Sequence, residues 1–127
     1  MKKEAVQTQK APAAIGPYSQ AIRSGGFLFI SGQLPLDPVS GAMAAADVAG
    51  QTRKALENMG EILRAAGAEY RDVVKTTVFM TDLGRFAEMN GVYAEFFPDT
   101  PPARAAVQVS ALPKGALVEI EALAALP

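Results

Sequence analysis

The 127-residue sequence contains no histidine, no cysteine and no tryptophan. Without thiols there is no disulfide, and no cysteine nucleophile is available. With imidazole also missing, neither a Ser-His-Asp triad nor a zinc site of the Cys/His type can be assembled. A surplus of one charge is missing as well. Twelve Lys and Arg stand against thirteen Asp and Glu, a net charge of −1, which argues against the positive field of a nucleic-acid or polybasic membrane binder. No segment approaches the ~20 consecutive apolar residues of a membrane span. The start, Met1 to Lys10, carries no apolar run, so a secretory signal is not expected and the cytoplasm is the expected location. Gly25-Gly26 and Gly32 fit neither a dinucleotide fingerprint nor a Walker A loop, and the acidic residues form no EF-hand. Chemistry is left to Arg, Lys, carboxylates, hydroxyls, amides, the backbone and water.

Half of the residues are apolar and a fifth are charged, the balance of an ordinary globular chain, and the length predicts a single domain over 1–127. Gln20–Arg23 and Phe27–Ser31 read as a β-hairpin closed by Ser24-Gly25-Gly26. Residues 3–8 can add a strand. Leu34–Gly41, with Pro35, Pro38 and Gly41, reads as a loop. Asp47 is placed to cap a helix ending near Ala66, with Gly67 beyond it. Val48, Ala55, Leu56, Met59, Ile62, Leu63 and Ala66 form its buried stripe. Val73–Thr81 is a β-branched strand. Asp82 caps a second helix from Leu83 to about Phe97, which Pro98 stops. Its stripe is Phe86, Met89, Tyr93, Phe96 and Phe97. Ala103–Ser110 and Leu117–Ala125 alternate as strands, and Pro113-Lys114-Gly115 between them suggests that they pair as neighbours.

This order predicts an α+β domain, a mixed sheet with two helices on one face. The other face is expected to carry Leu117 and Leu123 beside Arg104, Gln108, Glu119 and Glu121. Such a mixture suits a subunit interface that encloses a polar pocket. Arg104, stiffened by Pro101-Pro102 and flanked by Ala103, Ala105 and Ala106, suits a bidentate carboxylate clamp or a salt bridge to Glu119 or Glu121. Glu119 and Glu121 share a strand face, where one carboxylate can orient water or both can serve salt bridges. Asn90 interrupts an apolar stripe, so its amide either ties helix to backbone or faces a site. Tyr18, after Gly16-Pro17, can close a pocket or simply pack. Gly32, in Ser31-Gly32-Gln33, permits close backbone approach or a turn.

Five stretches, in order, resemble the RidA/YjgF family of reactive-intermediate imine deaminases: Ala13-Ala14-Ile15-Gly16-Pro17-Tyr18-Ser19-Gln20-Ala21; Ser31-Gly32-Gln33; Val74-Lys75-Thr76-Thr77-Val78-Phe79; Asn90 with Tyr93, Phe96 and Phe97; and Pro102-Ala103-Arg104 through Leu112 to Val118-Glu119-Ile120. The likeness spans nearly the whole chain. It implies a chorismate-mutase-like subunit in a homotrimer with pockets between subunits. It implies hydrolysis of 2-imino acids, 2-iminobutanoate and 2-iminopropanoate, to 2-oxo acids and ammonium, protecting pyridoxal-phosphate enzymes, with no cofactor and no metal. By the same resemblance Arg104 clamps the substrate carboxylate and Glu119 orients the attacking water. Tyr18, Ser31, Gly32 and Asn90 line the pocket, and Phe86 adds an apolar wall.

The chain departs from many relatives after Arg104, where Ala105 and Ala106 replace a hydroxyl or thiol pair. Ala106 shares the face of Arg104, so a roomier pocket with fewer hydrogen bonds is expected. The alternative function is a non-catalytic trimer that binds small carboxylates or acts as a chaperone. Family members have also been described as ribonucleases, a role that a chain without histidine or a basic patch suits less well.

Overall fold

The computed structural model describes residues 2–127. Six strands are present: β1 (Glu4–Val6), β2 (Ala21–Ser24), β3 (Phe27–Gln33), β4 (Val73–Met80), β5 (Ala103–Gln108) and β6 (Val118–Ala125). The helices are α1 (Val48–Ala65), between β3 and β4, and α2 (Phe86–Phe96), between β4 and β5. The strands form one mixed sheet in the order β1-β2-β3-β6-β4-β5, the expected α+β arrangement. No helix is long and apolar enough to cross a membrane among the described residues.

Local chemistry explains most boundaries. Gly25 and Gly26 both have positive φ, 62° and 81°, as a two-residue type I′ turn requires. Ser24 and Phe27 pair across it. The Asp47 side chain accepts from the Gly50 amide at 2.9 Å and starts α1. At the other end, Gly67 N donates to Arg64 O and Ala68 N to Leu63 O, the paired bonds of a Schellman ending. The predicted α1 stripe is buried from Val48 through Leu63, and Ala66 packs against the core at its edge. Asp82 begins the next segment by accepting from Gly84 N at 2.8 Å. That segment opens as a 3-10 turn, Leu83–Arg85, before α2 proper.

The core lies between the helices and one face of the sheet. Leu28 and Ile30 of β3, Val118 and Ile120 of β6, and Val78 and Met80 of β4 are buried with Leu56, Met59, Ile62 and Leu63 of α1 and Met89 and Tyr93 of α2. Strand order departs from expectation. β5 and β6 are not neighbours: β4 lies between them, parallel to β5 and antiparallel to β6. The reason is topological. β4, α2 and β5 form a strand–helix–strand crossover, which delivers its second strand parallel to the first. Pro113–Gly115 is a 3-10 turn with Lys114 at φ 58°, not a tight hairpin. β6, apolar along its inner row, takes the central place between β3 and β4.

Asn58, 1% exposed, donates from α1 to Leu34 O and Leu36 O, both at 3.0 Å, and so pins the loop after β3. Replacing Asn58 with Ala strands these carbonyls and should cost about 1–3 kcal/mol. A urea titration checks this, and an unchanged midpoint would contradict it.

Candidate functional site

Arg104 sits on edge strand β5. It pairs in register with Thr76 of β4, and Thr76 is fully buried on the helix side of the sheet. The Arg104 side chain therefore lies toward α2. Its Nη1 donates to Asn90 Oδ1 at 2.7 Å, and its Cζ stands 4.8 Å from the Tyr93 ring centre and 5.2 Å from that of Phe86. These are cation–π distances. Tyr93 is fixed in turn by a 2.7 Å hydrogen bond between its hydroxyl and that of Thr76. Burial raises the Tyr93 pKa, which keeps the phenol neutral. Among the described residues the ion pairs are Arg53–Glu95, Arg64–Glu61, Arg71–Glu69 and Arg85–Glu88; none involves Arg104. The guanidinium opens on a cleft of about 490 Å³ lined by Leu83, Phe86, Arg104 and Ala106. Ala106 does share its face, and a methyl group forms that part of the wall.

Ser31, Gly32 and Glu119 lie together at the other face. Between Ile30 and Gln33, three steps of β3 match two steps of β6, which makes a β-bulge at Ser31-Gly32. Ser31 Oγ donates to Ser19 O at 2.6 Å, so the bulge holds the arm that carries Tyr18. The Tyr18 side chain itself is 54% exposed. Glu119 of β6 lies over Gly32. A Cβ at position 32 would stand 2.9 Å from Glu119 Cδ and closer still to Oε2, so this glycine gives room to a carboxylate. Glu119 is half-buried with no ion-pair partner among the described residues. Burial, helped by the like charge of Glu121, raises its pKa above the ordinary carboxylate value.

The expectation that Arg104 and Glu119 share the open face is corrected. Glu119 pairs with Phe79, whereas Arg104 pairs with Thr76. Positions 76 and 79 differ by an odd number, so their side chains leave opposite faces of β4. With β4 between them, the strands of Arg104 and Glu119 are also roughly 10 Å apart. Gln108 shares the correction, since its Oε1 accepts from Leu83 N on the helix side. The Ala-rich odd positions of β5 look outward instead, because α2 offers the aromatic faces that an arginine stem and head can use. Tyr18 also lines a separate groove of about 710 Å³ beside β1, which contains none of the other candidates.

Two contributors escaped the sequence reading of the site, Thr76 and Tyr93. Tyr93 stood in the apolar stripe of α2, where a buried phenol needs a partner, and that need was the available signal. The open face presents Phe29 (51% exposed) and Val107 (40%) with half-buried Phe79 and Leu123; Leu117, expected there, lies just before β6 and packs against the core instead. No cluster of three or more acidic residues that could hold a metal occurs among the described residues.

A family model described as Endoribonuclease L-PSP matches residues 8–126. The chain is 55% identical over 122 residues to a RutC family protein of Pyrococcus horikoshii, covering 96% of this chain and 97% of that one. It is 51% identical over 119 residues to the human (Homo sapiens) 2-iminobutanoate/2-iminopropanoate deaminase, covering 94% and 87%. Among solved structures, E. coli TdcF with bound serine matches with a TM-score of 0.93 at 46% identity, over 98% of this chain and 99% of that one.

The setting of Glu119 yields a titration prediction. Its carboxyl should titrate above the ordinary glutamate range in a carbon-detected NMR titration, and Glu121→Gln, by removing the like charge, should move it downward. A Glu119 midpoint that ignores the Glu121 substitution would contradict the stated cause.

Proposed function

Because the chain belongs to the RidA/YjgF family, we propose that it hydrolyses 2-imino acids, in equilibrium with their enamines, to 2-oxo acids and ammonium. The observation that carries this reading is Arg104: a guanidinium held by Asn90, Tyr93 and Phe86, without a carboxylate partner among the described residues, beside a cleft lined by Leu83, Phe86 and Ala106. A planar fork so placed suits a carboxylate that arrives with the substrate. TdcF, a solved relative, holds serine, a small molecule with the same carboxylate, which supports this use. Arg104 binds the 2-imino acid through that group. Water, oriented by Glu119, adds to the imine carbon while the nitrogen takes a proton. The carbinolamine then collapses to the 2-oxo acid and releases the nitrogen as ammonia, protonated in water to ammonium. No cofactor or metal enters these steps. Positioning supplies most of the acceleration, since the C=N carbon is already electrophilic.

Arg104 and Glu119 leave opposite faces of one sheet, so this reading requires two copies. Arg104 stands on an edge strand, where the open face of a second copy, carrying Glu119, Gly32 and Ser31 with the Tyr18 arm beside them, can meet it. Three such contacts close a cyclic homotrimer. Substrates of this class arise when pyridoxal-phosphate enzymes eliminate water from serine or threonine, and their removal in the cytoplasm protects such enzymes.

A serine/threonine dehydratase generating 2-iminobutanoate in situ provides the assay. The protein should speed imine loss over the spontaneous rate. Arg104→Ala should lower kcat/KM by about 10–100-fold, and Glu119→Gln should lower kcat by about 10²–10⁴-fold, with both variants folded. No acceleration by the wild type would contradict the reading and favour a carboxylate-binding module. Light scattering should give the mass of three chains; a monomer at micromolar concentration would remove the shared site.

A further inference from the structure

An arginine on an edge strand is a mobile ligand. Its long side chain loses rotamer freedom when fixed. One hydrogen bond, Nη1 to Asn90, fixes one nitrogen of Arg104 but leaves the guanidinium plane free to turn about that contact. Two rings constrain it further, that of Phe86, 5.2 Å from Cζ, and the nearer one of Tyr93, 4.8 Å from Cζ. That ring is 5% exposed, packs on Phe97 with ring centres 4.8 Å apart, and is held at its far end by the fully buried Thr76 hydroxyl at 2.7 Å. Thr76 is the residue paired with Arg104 across the β4–β5 ladder. The contacts therefore form a closed circuit: backbone pairing joins 104 to 76, a hydrogen bond joins 76 to 93, and the ring returns to 104. We infer that Tyr93, anchored by Thr76, is a positioning residue that sets the plane in which Arg104 presents its fork to the substrate carboxylate. The inference rests on the deaminase reading for the identity of that carboxylate.

Three variants of the full-length protein test it. Tyr93→Leu removes the platform and should raise KM for the imine about tenfold, with kcat within about threefold of wild type. Tyr93→Phe keeps the ring but loses the hydrogen bond to Thr76, so KM should rise only about threefold, as in Thr76→Val. Thr76→Val removes the anchor with little change of shape and should raise KM about threefold; it decides the matter if Tyr93→Leu does not fold. A merely structural role would lower the unfolding temperature and leave KM unchanged, which would overturn the inference. NMR of the Arg104 Nη nitrogens gives an activity-independent reading. Wild type should show separate Nη signals, merged in Tyr93→Leu and Thr76→Val. Merged signals in wild type, or separate ones in every variant, would overturn the inference. If the wild type turns over no imine while its signals behave as stated, the deaminase reading fails and the positioning role stands.

Discussion

A strand sends alternate side chains to opposite faces, and in this sheet that parity separates Arg104 from Glu119, the two groups of the proposed chemistry. β4 pairs with β5 on one side and β6 on the other, setting Thr76 against Arg104 and Phe79 against Glu119. No rotamer change carries either side chain through the sheet. On the proposed reading each chain therefore holds two halves of a site: a cationic half against α2 and an acidic half beside the β3 bulge. Moving β6 by one residue would turn its buried row, Val118, Ile120, Ala122 and Ala124, out of the core, while Arg104 is kept on its side by Asn90 and the Phe86 and Tyr93 rings.

Each half is built by contacts that a lone chain already satisfies. On the cationic side, Asn90, Phe86 and Tyr93 surround a guanidinium that makes no ion pair among the described residues. On the acidic side, Gly32 gives room to the Glu119 carboxyl, and burial with a neighbouring like charge disfavours its ionised form. Each half thus carries an unspent electrostatic preference, one for an anion and the other for a proton or a hydrogen-bond donor. A substrate with a carboxylate at one end and a C=N bond one atom away satisfies both. The exposed apolar side chains of the open face are the surface a second copy would cover. Covering them excludes water, which strengthens the charge interactions within.

Much of this was legible in the sequence, and the exceptions have physical causes. α1 could be read from end to end because Asp47, a strict apolar stripe and Gly67 agree. The Gly25-Gly26 hairpin was equally plain. The placement of β5 was not. Alanine carries almost no burial signal, so Ala103, Ala105 and Ala106 gave the alternation no direction, and Val107 and Val109 tilted the reading toward the wrong face. Stacking on Phe86 and Tyr93 is a tertiary effect that only the crossover through α2 creates. The pairing of β5 with β4 follows from that crossover, yet the short Pro113–Gly115 link suggested a hairpin. Family resemblance named Arg104, Glu119, Tyr18, Ser31, Gly32, Phe86 and Asn90. The structure brings Arg104, Phe86 and Asn90 together on one side and Ser31, Gly32 and Glu119 on the other, while Tyr18, on the arm tied to Ser31, lines a separate groove.

The central claim is that one working site takes Arg104 from one copy and Glu119 from another. Complementation between inactive chains tests it most directly. Arg104→Ala and Glu119→Gln chains are unfolded together, refolded as a one-to-one mixture and assayed against each parent refolded alone. Random assembly should rebuild about a quarter of the sites with both native groups, restoring roughly that share of wild-type activity. A mixture that assembles and exchanges chains, yet stays as inactive as its parents, would contradict the account.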